Sequence, residues 1–208
     1  MISLNSRTDK EIDNLMTIVR NFSLFEAMNN GVKQGGKKFA AILIDEQGQQ
    51  APPNKQALID TLAQAKSLRM PIYILEIDSK VNQQAIAPIV LGKNANPLVK
   101  TNSNFCIEGA TVVKKPHISM FNPKTNLDMK KELQSKNIDA VVIMGQKTNQ
   151  CVKTNAVGGF TDRQNQNYFA GLNDICKVYT CDDILRDQSE ATWKNAKNVF
   201  FYTKLKKD

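Results

Sequence analysis

The run of apolar residues from Phe39 to Ile44 constrains the fold more than any other segment of this chain. A strand that is exposed on one face alternates polar and apolar residues, whereas a strand buried on both faces is apolar throughout. A similar run, Ala140–Met144, lies in the second half of the chain, and the segment Lys55–Leu68 has apolar residues at helical spacing. Alternation of buried strands with helices predicts an α/β fold, with a mostly parallel central sheet between two layers of helices.

The complete pattern predicts six strands and five helices in the body of the chain. The predicted strands are Phe39–Asp45, Pro71–Ile77, Ala110–Val113, Ala140–Met144, Cys176–Cys181 and Asn198–Tyr202. The predicted helices are Lys55–Leu68, residues 83–91, Leu127–Leu133 with Asn126 as its cap, a helix that opens near Cys151 and ends at Gly158–Gly159, and Asp183–Thr192. A loop over 92–104 and a polar insert over 161–173 connect them.

Residues 1–36 differ from this pattern and predict a helical extension that precedes one domain over 37–208. Asp9 is a suitable N-cap for a helix that runs to about Met28 and carries one apolar stripe. The sequence Asn29-Asn30-Gly31 predicts the end of that helix, and Gly35–Gly36 predicts a hinge. The stripe packs either on its own domain or on a neighbouring subunit, and a homo-oligomer is the expectation under the second reading.

Composition limits the class of protein. A chain of 208 residues with 41% hydrophobic and 23% charged residues has the make-up of a globular domain. It has no apolar stretch of the roughly 20 residues that span a bilayer, and its start lacks a cleavable signal pattern. We therefore expect a cytoplasmic protein with free thiols and no membrane partner.

The distribution of charged residues and of possible metal ligands argues against a nucleic-acid-binding protein and against a metalloprotein. The net charge is +8, but the lysines are scattered and no stripe of arginine or of interleaved aromatic residues appears, which argues against nucleic-acid binding. The chain has four cysteines without metal-ligand spacing and a single histidine, His117. We expect no metal and no cofactor.

Three reactive side chains follow or end three different predicted strands. Asp45 ends the first, Lys115 follows the third, and Cys151 follows the fourth at the start of a helix. Open parallel sheets bind their ligands at the carboxyl ends of the strands. An aspartate that accepts the thiol proton, a lysine that stabilises the anions and a thiolate that attacks carbonyl carbon together support nucleophilic catalysis without histidine. A helix N-terminus and a lysine would both favour the thiolate of Cys151.

The segments around these residues resemble the isochorismatase-like cysteine hydrolases. Ile44-Asp45-Glu46-Gln47 is similar to the family's Ile-Asp-x-Gln segment, and Lys115-Pro116-His117-Ile118-Ser119-Met120-Phe121 is similar to its Lys-Pro-x-x-Ser-x-Phe segment. Gly145-Gln146-Lys147-Thr148-Asn149-Gln150-Cys151-Val152 is similar to its Gly-x-x-Thr-x-x-Cys-Val nucleophile segment. The resemblance covers about residues 37–185.

The resemblance implies a Rossmann-like three-layer sandwich and a Cys-Asp-Lys triad of Cys151, Asp45 and Lys115. It further implies a cis peptide bond between Gln146 and Lys147, with the backbone N–H groups of Lys147 and Cys151 as oxyanion donors. Gln47, Gln146 and Phe121 are the implied walls of the substrate pocket.

Departures from the family narrow the expected reaction. The region Glu76–Val81 lacks the histidines with which metal-dependent nicotinamidases of the family bind their ion, and Cys151 argues against the vinyl-ether cleavage of isochorismate hydrolases proper, which lack it. The expected function is a metal-independent hydrolase that cleaves a C–N bond of a small amide or carbamoyl substrate through a thioester. The alternative is a catalytically weak or inactive relative that acts as a binding or regulatory module.

Overall fold

The computed structural model describes residues 22–48, 52–78, 100–116, 118–160, 168–186 and 190–206. Its centre is a seven-stranded sheet in the order β3-β2-β1-β4-β7-β9, with β8 paired to β4 beyond the end of β7. The strands are β1 Phe39–Ile44, β2 Ile72–Ile77, β3 Thr111–Lys115, β4 Ala140–Gln146, β7 Lys177–Cys181, β8 Leu185–Arg186 and β9 Val199–Tyr202. The pairs in this sheet are parallel, and β5 Gly159–Phe160 and β6 Tyr168–Phe169 form a separate antiparallel pair.

Helices lie on both faces of the sheet, which confirms the three-layer α/β fold. They are α1 Leu24–Asn29, α2 Lys55–Ser67, α3 Met129–Ser135 and α4 Lys153–Val157, with π-helical turns at Asn30–Gln34 and Thr148–Val152. Short 3₁₀ turns occur at Ser103–Phe105, Leu172–Asp174 and Asp182–Ile184. Within the described ranges, none of the helices is both long and apolar enough to cross a membrane.

The two central strands explain why the sheet forms two cores. Every residue of β1 and of β4 is buried. Because successive side chains of a strand point to opposite faces, Ala40, Ile42 and Ile44 enter one apolar cluster, whereas Ala41 and Leu43 enter the other. The continuous apolar run is thus the signature of a strand covered on both sides, as predicted.

The described part of the N-terminal extension packs on its own domain. Ser23 caps α1 in a capping box with Glu26, and the fully buried Leu24 and Met28 join the second core. The backbone N–H of Leu24 donates to the carbonyl oxygen of Lys204 at 3.0 Å. The predicted stop at Asn29–Gly31 is wrong, because the helix continues through a π-helical turn to Gln34. Residues 1–21, with the predicted Asp9 cap, lie outside the described residues.

The predicted helix Asp183–Thr192 is also wrong. A 3₁₀ turn is followed by β8, in which Leu185 and Arg186 pair with Gly145 and Gln146. Pairing of β4 with β7 extends only from Ala140 to Val142, so β8 satisfies the backbone groups at the far end of β4. This tertiary requirement explains why the segment does not form the predicted helix.

Smaller corrections concern element ends. Helix α3 begins at Met129, and its cap is Asp128 instead of Asn126, whose side chain accepts from the N–H of Lys114. The third strand runs two residues further than predicted and includes Lys115. Helix α4 ends at Gly158, as predicted. The predicted helix over 83–91 and residues 161–167 of the polar insert lie outside the described residues, whereas residues 168–173 contribute β6 and the start of a 3₁₀ turn.

Candidate active site

The structure brings Asp45, Lys115 and Cys151 together at the carboxyl ends of β1, β3 and β4, with all three side chains fully buried. Lys115 Nζ lies 2.9 Å from Asp45 Oδ2 and donates a hydrogen bond to it. The Cys151 thiol interacts with the same carboxylate. The other oxygen, Asp45 Oδ1, has no well-formed hydrogen bond among the described residues. Asp45 Oδ1 therefore remains available as an acceptor.

The backbone of Asp45 is held on both sides. Its φ angle of 55° lies in the left-handed region, and its N–H donates to the carbonyl oxygen of Leu75 at 3.0 Å. Its own carbonyl oxygen accepts from Gln146 Nε2 at 2.6 Å. The aspartate is thus tied to the neighbouring strand on one side and to the nucleophile segment on the other.

The nucleophile segment turns sharply between β4 and the π-helical turn. The peptide bond between Gln146 and Lys147 is cis, at the predicted position. Cys151 is the fourth residue of the π-helical turn Thr148–Val152 and not the first residue of an α-helix. Trp193 Nε1 donates to the carbonyl oxygen of Thr148 at 3.0 Å and supports this turn from outside.

The charge state of Cys151 differs from the sequence-based prediction of a favoured thiolate. Burial raises the pKa of this thiol well above its ordinary value, and the negative charge of Asp45 raises it further. Lys115 and Lys147 lower the thiol pKa but do not compensate. Burial also raises the pKa of Asp45, against the opposing effect of Lys115. The resting site is therefore a neutral thiol beside a carboxylate of increased basicity.

The three residues predicted to line the substrate pocket, Gln47, Gln146 and Phe121, have different surroundings from one another. The side-chain amide of Gln47 pairs with the backbone of Ile77, the last residue of β2. Its oxygen accepts from the Ile77 N–H at 2.9 Å, and its nitrogen donates to the Ile77 carbonyl oxygen at 3.4 Å. Gln146 is buried and binds the Asp45 carbonyl. Phe121 is partly buried against the first core. No group of three His, Cys, Asp or Glu side chains in the described part of the chain is arranged to hold a metal ion.

Sequence reasoning missed Asn155, which connects the lysine and cysteine segments. Its Oδ1 accepts from the N–H of Met120 at 2.7 Å, and its Nδ2 donates to the carbonyl oxygens of Ile118 at 2.8 Å and Cys151 at 2.7 Å. The signal in the sequence is a polar residue four positions after Cys151, on the same helical face.

We expect Asn155→Leu to reduce the free energy of unfolding by about 3 kcal/mol or more, because it removes three hydrogen bonds to backbone groups, two of them buried. Denaturant unfolding measures the loss. Asn149→Leu is the matched control, since Asn149 holds exposed partners at Glu190 and Thr192, and it should cost about 1 kcal/mol. Equal losses in the two variants would contradict this role for Asn155.

Gly145 allows β4 to approach β1 closely just before the cis bond. Its φ angle is 111°, and a Cβ there would collide with the carbonyl oxygen of Ile44 and lie 2.8 Å from its nitrogen. We expect Gly145→Ala to destabilise the fold by about 3 kcal/mol or more, measured by thermal or denaturant unfolding. Gly48 has a φ of 112° in open space, so Gly48→Ala isolates the backbone strain alone and should cost about 1–2 kcal/mol. A Gly145 variant no less stable than the Gly48 variant would contradict the close approach.

Comparison with known proteins agrees with this fold. The Isochorismatase domain family model matches residues 37–163. No curated protein sequence matches the chain.

Solved structures with a similar fold include an N-carbamoylsarcosine amidase from Thermoplasma acidophilum, with a TM-score of 0.57 and 16% identity over 79% of this chain and 95% of that one. An isochorismatase-like hydrolase from Alkaliphilus metalliredigens has a TM-score of 0.53 and 20% identity over 80% and 94%. A nicotinamidase from Staphylococcus aureus has a TM-score of 0.56 and 12% identity over 79% and 97%. With the family model matching more than half of its length, the chain belongs to the isochorismatase-like hydrolase family.

Proposed function

We propose that the protein is a metal-independent cysteine hydrolase that cleaves a C–N bond of a small amide or carbamoyl substrate. The observation that carries the proposal is the buried Asp45 carboxylate, which pairs with the Lys115 ammonium at 2.9 Å and interacts with the buried Cys151 thiol. A carboxylate and a thiol that share one proton beside a fixed positive charge form a nucleophile with its own base.

The first half-reaction forms a thioester. Asp45 takes the proton of Cys151 as the sulfur attacks the carbonyl carbon, and the carbonyl oxygen becomes an oxyanion. The backbone N–H groups of Lys147 and Cys151 are the proposed donors to that oxygen. The C–N bond then breaks, the leaving nitrogen takes the proton from Asp45, and ammonia or an amine departs.

The second half-reaction restores the enzyme. Asp45 takes a proton from water as the water oxygen attacks the thioester carbon. The C–S bond breaks, the sulfur takes the proton back, and the acid or carbamic acid leaves. Lys115 remains charged throughout and stabilises whichever partner of the Asp45–Cys151 pair is negative.

The neutral thiol fits this scheme, since attack is coupled to proton transfer and needs no standing thiolate. Binding of a substrate that excludes water also strengthens the influence of Lys115 on the forming thiolate. The family to which the chain belongs and the amidases among its structural neighbours support the choice of a C–N bond.

A panel of primary carboxamides and N-carbamoyl compounds tests the proposal, with ammonia release as the readout and intact-mass detection of an acyl group on the protein. We expect at least one compound to release ammonia and to leave an acyl adduct on Cys151. Hydrolysis of an amide that proceeds without an adduct in single-turnover experiments, or that persists in Cys151→Ala, would contradict the mechanism.

A second candidate is a binding or regulatory module, and the burial and raised pKa of the Cys151 thiol favour it. In that case no amide is turned over and Cys151 reacts with alkylating agents independently of Asp45. The pH dependence of alkylation separates the two candidates.

A further inference from the structure

A second ion pair, between the buried Glu46 and the partly exposed Arg186, lies directly beside the proposed catalytic base. Glu46 follows Asp45 in the sequence and is 1% exposed. Its Oε2 accepts a hydrogen bond from Arg186 Nη1 at 2.9 Å, whereas its Oε1 is buried without a partner among the described residues. The mechanism above uses neither residue.

The pair connects the two segments that carry the proposed chemistry. Arg186 lies in β8, where it is the register partner of Gln146 next to the cis bond. Gln146 in turn donates to the carbonyl oxygen of Asp45. The chain therefore forms a closed loop of contacts from Asp45 to Glu46, to Arg186, to Gln146 and back to Asp45.

Further contacts fix both members of the pair. The carbonyl oxygen of Glu46 accepts from the N–H of Asn102 at 2.9 Å. Asn54 Nδ2 donates to the carbonyl oxygen of Asp183, within the turn that leads into β8, at 3.0 Å and to that of Leu185, the first residue of β8, at 3.3 Å. These contacts hold the backbone of Glu46 and the backbone that leads to Arg186.

Stability alone does not account for the pair. Replacing a buried ion pair by apolar residues of similar size is often neutral or stabilising, because the desolvation cost offsets the Coulombic gain. Here that cost is visible, since burial raises the pKa of Glu46 to about 7 despite the nearby Arg186. A charged pair at this position is thus better explained by an effect on the neighbouring residue Asp45 than by a contribution to stability.

We propose that the Glu46–Arg186 ion pair is a positioning element that holds the Asp45 carboxylate in register with the Cys151 thiol and the cis-peptide segment. This inference rests on the proposed function, in which Asp45 is the base. Removing either member of the pair leaves Asp45 in place but loosens its alignment with the sulfur.

The test measures the rate of Cys151 alkylation by iodoacetamide at pH 7 in the full chain, with the modified residue located by peptide mass. We expect Glu46→Leu and Arg186→Met each to slow alkylation by about 10-fold, since small displacements of a reacting group have effects of this size or larger. Glu46→Gln retains an oxygen that accepts from Arg186, so it should stay within about 3-fold of the wild-type rate. Asp60→Ala, which breaks the Lys206–Asp60 pair elsewhere, is the control and should leave the rate unchanged.

Repeating Glu46→Leu in an Asp45→Asn background separates positioning from a general structural effect. If the pair acts through Asp45, Glu46→Leu should cause no further slowing of alkylation in the Asp45→Asn background. Equal slowing in both backgrounds, or no slowing in the wild-type background, would overturn the proposal. If a single variant does not fold, the double variant Glu46→Leu/Arg186→Met leaves no unpaired charge, and the same 10-fold slowing is expected of it.

This outcome is independent of the substrate. Alkylation that depends on Asp45 and on the pair, without hydrolysis of any amide in the panel, would retain the positioning role and reject the proposed reaction. If Arg186→Met raises KM for an amide but leaves kcat and alkylation unchanged, Arg186 contacts substrate instead, and the positioning role is wrong.

Discussion

Cys151→Ala should lower turnover of any amide that the wild-type protein hydrolyses by about 10⁴-fold or more, because it removes the atom that bonds to the carbonyl carbon. The side chain is small, so the free energy of unfolding should change by no more than about 1.5 kcal/mol. Steady-state ammonia release and denaturant unfolding measure the two quantities.

Cys181→Ala is a matched control for this substitution. Cys181 is also a fully buried free thiol, and burial raises its pKa to about 12, but it belongs to the core on the opposite face of the sheet. Its replacement should leave turnover within about 2-fold of wild type, since it removes packing and no chemistry. Full activity in Cys151→Ala would refute the nucleophile, and equal losses in both variants would show that the substitution acts through packing.

Lys115→Met should destabilise the protein by about 3–5 kcal/mol and abolish turnover. Both members of the Lys115–Asp45 pair are fully buried, and removal of one leaves an uncompensated charge in an apolar setting. The loss of Lys115 also removes the largest influence that lowers the pKa of Asp45, so this carboxyl keeps its proton to a higher pH and is less available as a base.

The double variant Asp45→Asn/Lys115→Met tests the cause of this loss. With both charges removed, we expect it to recover part of the stability lost by Lys115→Met, although it should remain inactive. Denaturant unfolding of the single and double variants measures the coupling. A double variant that is less stable than Lys115→Met by the full cost of a second, independent substitution would contradict direct pairing.

Much of the fold could be predicted because its central strands are covered on both faces. The apolar runs of β1 and β4 follow directly from that burial, and the residues that follow such strands necessarily meet at one edge of the sheet. The motif segments then located Asp45, Lys115 and Cys151, as well as the cis bond at Gln146–Lys147.

The remaining features depend on contacts that are remote in sequence. Glu46 and Arg186 are 140 positions apart, and nothing in the sequence around Arg186 indicates that β8 pairs with the carboxyl end of β4. Asn155 resembles a solvent-facing helical residue until the lysine segment is placed beside it. The pKa of Cys151 was predicted in the wrong direction because burial, its largest cause, is a property of the assembled site and not of the helix that carries the residue.

The rate of Cys151 alkylation as a function of pH, in wild type and Asp45→Asn, tests the central claim most directly. Asp45 is an effective base only above its own pKa, which burial raises above 3.8, so wild-type reactivity should be lost as the pH falls through that raised value and should be level above it. In Asp45→Asn the level region should disappear, and the rate should instead rise continuously with pH as the thiol itself ionises, with a thiol pKa that the loss of the Asp45 charge has lowered. Identical profiles for the two proteins would contradict the account, because they would show that Asp45 does not receive the proton of Cys151.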